Sequence, residues 1–200
     1  MIMQPQARSA NPLVTNFADA IPAGGTVVDL GCGPGRNALF LAEQGFTVAA
    51  VDRSGEAIAA LKALAEARRL QERITTAHAR IEEYPFSGPR AAIVCTFVLH
   101  FLGPRALETL DRMQAATAPG GLNIVEAFTE NGQWSAQAKQ RGYFFKSGEL
   151  RERYAGWDFL FYEEKLVKTM ERDAQGRPLT QEATAVVAQK RGESSRALLS

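Results

Sequence analysis

Residues 27–37, VVDLGCGPGRN, place glycine at positions 31, 33 and 35, with a carboxylate, Asp29, two residues ahead of the first. Alternate glycines after an apolar run let the backbone turn left-handed and let a ligand come close. A dinucleotide fingerprint, G-x-G-x-x-G, would need glycine at position 36, which holds Arg36. Asp29 would also repel a pyrophosphate, whereas it suits an α-ammonium group. A second acid, Asp52, ends the next apolar run, FTVAAVD, where a carboxylate can accept hydrogen bonds from both ribose hydroxyls. The ligand so described has an amino acid end, a ribose, an adenine and no phosphate. It is S-adenosylmethionine, with S-adenosylhomocysteine as its demethylated form.

These residues divide by the part of the ligand they would meet. Asp29, Gly31 and Gly33 are expected at the amino acid end and Asp52 at the ribose, with Cys32 and Asn37 also expected among the cofactor-binding residues. Arg53 could lie over the adenine face, with Arg80, the backbone N–H of Ile81 and Thr96 completing the set. Simpler readings stand beside these. Asp29 could cap N–H groups of its own loop, and Cys32 could offer only its backbone. His100 follows an apolar run, where active sites gather at the carboxyl ends of parallel strands. It is a weak candidate for a base, and otherwise lines the acceptor side or simply packs. Trp134, Tyr143, Phe144 and Phe145 could wall an acceptor pocket or belong to the core. His78 reads as a surface residue. Cys32 and Cys95 form no ligand-type cluster, so no metal is expected.

The elements that must hold these groups alternate along the chain. Residues 11–20 read as a short helix, 25–30 as a buried strand, and 36–45 as a helix closed by Gly45. Strand 46–52 precedes a helix N-capped by Ser54 and running to about Leu70. A third strand covers 74–78, and a fourth, AAIVCTFVL, covers 91–99; its unbroken apolar run suits a strand covered on both faces. A helix from Pro104 to about Ala116 and a strand at 122–128 complete the rhythm. Such alternation implies βαβ units, a parallel sheet and helices on both faces. The chain then changes character. A short helix at 148–155 is followed by strand-like runs at 158–170 and 183–190 around a turn-rich ERDAQGRPLT, which predicts an antiparallel hairpin.

Length and composition bound the rest. Two hundred residues, 46% hydrophobic and 22% charged, suit one domain with its own core. The core motifs cover about 25–128, the acceptor side and hairpin 129–191, and a loose tail 192–200. A formal net charge of +1 gives no reason to expect nucleic acid or an anionic membrane as partner. The first twelve residues lack the apolar core of a secretory signal, and no stretch approaches the ~20 apolar residues of a membrane span. With two cysteines in strand-like segments, a reduced, cytoplasmic location is expected. The expected partner is a small-molecule methyl acceptor, and the chain is expected as a monomer or homodimer.

VVDLGCGPGRN and VDRS at 51–54 resemble the first two motifs of class I S-adenosylmethionine-dependent methyltransferases. CTFVLHFL (95–102) and APGG (118–121) resemble the later motifs in order. More narrowly, GCGPGRNALFLAEQGF, FFKSGELRERYAGW (144–157) and DAQG (173–176) resemble the tellurite-resistance methyltransferases of the TehB type. That resemblance implies a Rossmann-like, doubly wound, seven-stranded sheet, mostly parallel with an antiparallel C-terminal hairpin. It also implies methyl transfer to oxyanions or other soft chalcogen compounds. Two departures stand out. Arg80 occupies the place where many relatives carry an acid for the adenine amino group. Met170 and Glu171 occupy the place of a His-Arg pair thought to serve the acceptor, leaving Arg172 or Arg177 as nearby anion-binding alternatives. A thiol or other soft acceptor is therefore expected ahead of tellurite. The alternatives are a non-catalytic S-adenosylmethionine-binding module and, less favoured, a dinucleotide-dependent oxidoreductase.

Overall fold

The computed structural model describes residues 9–138 and 142–192. The expected tail beyond Gly192 lies outside the described residues, as does most of the segment read for a secretory signal. Among the described residues, no helix is long and apolar enough to cross a membrane.

The strands are β1 (Thr26–Leu30), β2 (Thr47–Asp52), β3 (Ile74–His78), β4 (Arg90–Thr96), β5 (Thr117–Gly132), β6 (Asp158–Arg172) and β7 (Pro178–Gln189). They form a seven-stranded sheet in the order β3-β2-β1-β4-β5-β7-β6. The first five are parallel, and β7 runs antiparallel to both β5 and β6. The helices are α1 (Pro12–Phe17), α2 (Arg36–Glu43), α3 (Gly55–Ala67), α4 (Arg105–Ala116), α5 (Gln133–Ala138) and α6 (Glu149–Arg153).

Why these residues make these elements is mostly local. Asn11 caps α1, its side chain accepting from the Leu13 N–H, and Ser54 caps α3 by accepting from the Ala57 N–H. Gly45, at φ 95°, closes the turn after α2. The sheet buries both faces. Val27, Val48, Val94 and Ile124 pack under α1–α3, while Val28, Ile93, Cys95 and Val125 pack under α4 and α6. Apolar side chains of alternate direction on one strand therefore all leave water.

Two boundaries differ from expectation. The apolar run 91–99 reads as one strand, yet β4 stops at Thr96, because Phe97 takes φ 57° and breaks the ladder. The strand expected at 122–128 is longer at both ends, for β5 begins at Thr117 and runs on to Gly132. At its start the Lys190 N–H donates to the Gly121 carbonyl at 2.9 Å, the Gly120 N–H donates to the Lys190 carbonyl at 2.7 Å, and the Lys190 ammonium is held by the carbonyls of Gln114 and Thr117 at 2.8 Å each.

Candidate functional site

β1 and β4 are neighbours whose onward connections leave in opposite directions across the sheet, to β2 and to β5. This switch point opens a crevice beyond their carboxyl ends, and the glycine loop lies there. Each glycine has its own reason. A Cβ on Gly31 would lie 2.4 Å from Val98 Cγ2, and one on Gly35 would lie 2.2 Å from Leu61 Cδ1. Both have positive φ, 68° and 91°. Gly33, at φ 54°, would meet nothing within 4 Å. Gly31 and Gly35 thus make room for protein side chains, while Gly33 faces open space.

The loop N–H groups are also committed. Those of Gly31 and Cys32 both donate to the Val51 carbonyl, at 2.8 and 3.0 Å, and that of Gly35 donates to the Cys32 carbonyl at 3.0 Å. The Gly33 N–H donates to Asp52 Oδ2 at 2.8 Å, while Asp52 Oδ1 accepts from the Ser54 N–H at 2.8 Å. A phosphate would find no cradle of bare N–H groups in this loop. Asp52 keeps free lone pairs on both oxygens for hydroxyl donors.

Asp29 is the unusual group. It is 1% exposed, and among the described residues its Oδ2 has no hydrogen-bond partner. Burial pushes its carboxyl up to about 7, against the pull of the Ala38 N–H, Arg36 and the Asn37 side chain, with Asp52 adding to the push. A buried oxygen left unpaired is costly, and a cationic donor would relieve it. Cys32 is buried in the same loop, and burial first, then Asp29 and Asp52, drive its thiol far above the ordinary range. Its side chain is no nucleophile here.

Asn37 ties the loop to β4 and to the first helix. Its Nδ2 reaches Thr96 Oγ1 at 3.4 Å, and its Oδ1 accepts from the Asn11 N–H at 2.9 Å. The Asn11 side chain in turn donates to Glu126, which β5 places opposite Thr96. Burial raises the Glu126 carboxyl, while Asn11, Arg36 and Lys165 oppose the rise. Sequence reasoning missed Asn11 and Glu126. The signals were present: an Asn-Pro helix start, and the sole acid within LNIVEAF.

Where the adenine contact is expected, Ile81 is buried at 5% exposure in a single helical turn after β3. The turn is held from outside, for the Arg80 Nε donates to Glu82 Oε1 at 2.7 Å and Arg105 lies 3.6 Å from the same oxygen. The Arg112 guanidinium donates to the carbonyls of Glu82 and Tyr84, at 2.5 Å each. Arg80 therefore serves the wall of the crevice through Glu82. Arg53 has an exposed side chain, and its carbonyl accepts from His78 Nε2 at 3.0 Å.

Where the acceptor side is expected, aromatics gather around His100. That ring is 3% exposed and lies 3.9 Å from Phe101, 5.0 Å from Phe128 and from Trp134, and 6.3 Å from Phe144, between centroids. Phe97 stacks on Phe128 at 4.8 Å. Burial pulls His100 down to about 4, and among the described residues neither ring nitrogen has a partner. Of the four aromatics expected here, Trp134 and Phe144 join the cluster. Tyr143 and Phe145 pack against each other at 5.0 Å, with Tyr143 Oη donating to Glu149 at 2.5 Å and Phe145 fully buried. Phe144 parts from Tyr143 and Phe145 because this stretch is extended and alternate side chains leave it on opposite sides, while Trp134 reaches the cluster from α5. Phe101, 58% exposed, and Phe128 were missed; nothing local distinguishes them from core residues.

Met170 and Glu171 lie far out on the exposed end of β6. At the hairpin tip, Arg172 Nη1 donates to the Gly176 carbonyl at 2.7 Å and Arg177 Nε to Asp173 Oδ2 at 2.8 Å. Both guanidiniums are drawn into the turn.

Comparison with known proteins follows the same lines. Residues 11–185 match the family model described as tellurite resistance protein TehB. A protein of Eikenella corrodens named hemagglutinin 1 is 37% identical over 170 residues, covering 82% of this chain and 54% of that protein. A Haemophilus influenzae protein named probable S-adenosyl-L-methionine-dependent methyltransferase TehB is 31% identical over 166 residues, covering 82% of this chain and 57% of the relative. The match thus spans little more than half the length of these relatives. The crystal structure of TehB from Haemophilus influenzae superposes with a TM-score of 0.77 at 29% identity, covering 89% of this chain and 61% of that one.

Proposed function

Because this chain belongs to the TehB family of S-adenosylmethionine-dependent methyltransferases, we propose that it moves a methyl group from S-adenosylmethionine to a small, soft acceptor, a thiol or related chalcogen compound. The carrying observation is the bare, buried Asp29 Oδ2 near the end of β1, ahead of a loop in which Gly33 meets open space. A carboxylate pair there and at Asp52, with no N–H cradle for phosphate, fits a cationic amino acid end and a ribose. Asp29 and the loop at Gly31–Gly33 would hold the former, Asp52 the latter, and Ile81 would pack on the adenine, with Arg53 near its outer face. When bound, the cofactor supplies an electrophilic methyl on a sulfonium.

The protein's own work is alignment and water exclusion. Thr96 and Phe97 end β4 at the crevice, and the Phe97–Phe128–Trp134–Phe144 rings form an apolar wall beside it. His100 is neutral at pH 7, so one ring nitrogen can accept a hydrogen bond from an acceptor S–H while the other carries the ring proton. An uncharged, aromatic surrounding favours a polarizable neutral group over a hydrated oxyanion. The free, buried thiols of Cys32 and Cys95 suit a reducing, cytoplasmic setting.

The test is turnover with small thiols, selenite, tellurite and phenols at equal concentration, alongside calorimetry of cofactor binding. Thiol methylation that drops at least about tenfold in His100→Phe, with cofactor affinity within about twofold of wild type, is the expected outcome. Faster turnover of tellurite would overturn the acceptor reading. Cofactor binding without turnover of any acceptor would favour a binding module.

A further inference from the structure

The sheet ends on β6, and among the described residues that strand has β7 on one side and no strand on the other. It is 15 residues long, and its ladder with β7 is regular from Phe161 to Lys168, with irregularities only between Phe159 and Phe161 and beyond Lys168. Leu166, at the centre of the outer half, is 72% exposed. A long, regular edge with an exposed leucine is a template for another strand.

We infer that β6 pairs with the β6 of a second copy of this chain, antiparallel about a two-fold axis through Leu166, to make one continuous sheet across a homodimer. The choice of occupant rests on charge. Because side chains alternate faces, a two-fold perpendicular to the sheet must pass through a residue. Centred on Leu166, the pairing sets Leu166 against its own copy, Lys168 against Glu164, Tyr162 against Met170, Lys165 against Val167 and Glu163 against Thr169. No like charges meet, and the two Lys168–Glu164 pairs are opposite in sign. Every other centre from Glu163 to Lys168 fails this condition. Glu163, Glu164, Lys165 and Lys168 would each oppose their own copy, and a centre on Val167 would set Glu163 against Glu171. Like charges directly opposed on a sheet are destabilising. Lys165 is paired with Glu163 at 2.5 Å, whereas Lys168 is exposed and takes part in none of the ion pairs among the described residues, so it is available for the exchange. Glu164 is anchored by the Ser147 hydroxyl and by the Gly148 N–H at 2.8 Å, which holds its carboxylate in place as an acceptor. This inference does not depend on the methyltransferase reading.

Sedimentation velocity of the full chain at micromolar concentration should show a dimer. Leu166→Lys sets two ammonium groups against each other and should weaken association on the order of tenfold or more, with thermal unfolding of the monomer unchanged. The register is tested separately with single cysteines, since Cys32 and Cys95 are buried. Under mild oxidation Leu166→Cys should cross-link efficiently, and Lys168→Cys, which faces Glu164 of the other copy, should not. A monomer at every concentration, a dimer that survives Leu166→Lys, or equal cross-linking at both positions would each overturn the inference. Should Leu166→Lys fail to fold, the two cysteine variants decide.

Discussion

At the β1–β2 end of the crevice the polar groups of the glycine loop are matched to protein partners, leaving one bare oxygen on Asp29. At the β5–β7–β6 end the polar group at the centre, His100, has both nitrogens bare inside a ring of aromatics. The first region is a preformed cast with a single charge missing. The second is an apolar wall with one neutral polar centre. A binding site shared across a family can be built the first way, because the same small molecule must fit each time. An acceptor site needs only shape and one polar contact, which side-chain replacement can change without disturbing the sheet.

The largest expected effect separates the glycines that make room for protein from the one that faces open space. Gly31→Ala meets Val98 and a positive φ together, so urea unfolding should show a loss of about 2–4 kcal/mol, partly recovered with Val98→Ala. Gly33→Ala carries only the conformational cost, about 1–2 kcal/mol, and should act mainly on cofactor affinity. Equal stability losses would break the distinction.

Next comes Asp52→Ala. The ribose loses one or two charge-assisted hydrogen bonds, worth about 1.5–3 kcal/mol each, and the Gly33 and Ser54 N–H groups lose their acceptor. Calorimetry showing wild-type affinity would remove the ribose from this position.

A smaller effect is tied to pH. The Asp29 carboxyl is raised to about 7 in the fold, above its ordinary value of 3.8, so the folded chain holds this proton more tightly than the unfolded chain does. Its ionisation therefore costs stability, a cost absent below about pH 4 and complete above about pH 7. A bound ammonium group needs the ionised form, so binding below pH 7 must expel a proton. S-adenosylmethionine should bind about tenfold more weakly at pH 6 than at pH 8, and Asp29→Asn should flatten that dependence. A pH-independent wild type would mean that Asp29 does not face the ammonium.

The smallest effect concerns the adenine wall. With the sequence alone, an acid at position 80 resembles a restoration of the usual contact. In the structure Arg80→Asp would set a carboxylate beside Glu82, whose side chain is only 5% exposed, and should cost about 1 kcal/mol of stability with no gain in affinity. Tighter binding by this variant would show that position 80 reaches the adenine after all.

What the sequence determined by itself was whatever depends on neighbours in the chain. Alternate glycines, an acid ending each of two apolar runs, the Asn11 and Ser54 caps and the change from strand–helix rhythm to a hairpin all act within a few residues, and the sheet with its crevice followed from them. The tertiary structure decided which groups are already engaged. Gly31 makes room for Val98, sixty-odd residues away, and Arg80 belongs to Glu82 because burial of that acid requires a cation. Tyr143 and Phe144 are adjacent and equally aromatic, yet one joins Glu149 and the other His100, because an extended backbone sends them to opposite sides. Burial and partnership are properties of the packed chain, set by contacts between distant segments, and no local pattern carries them.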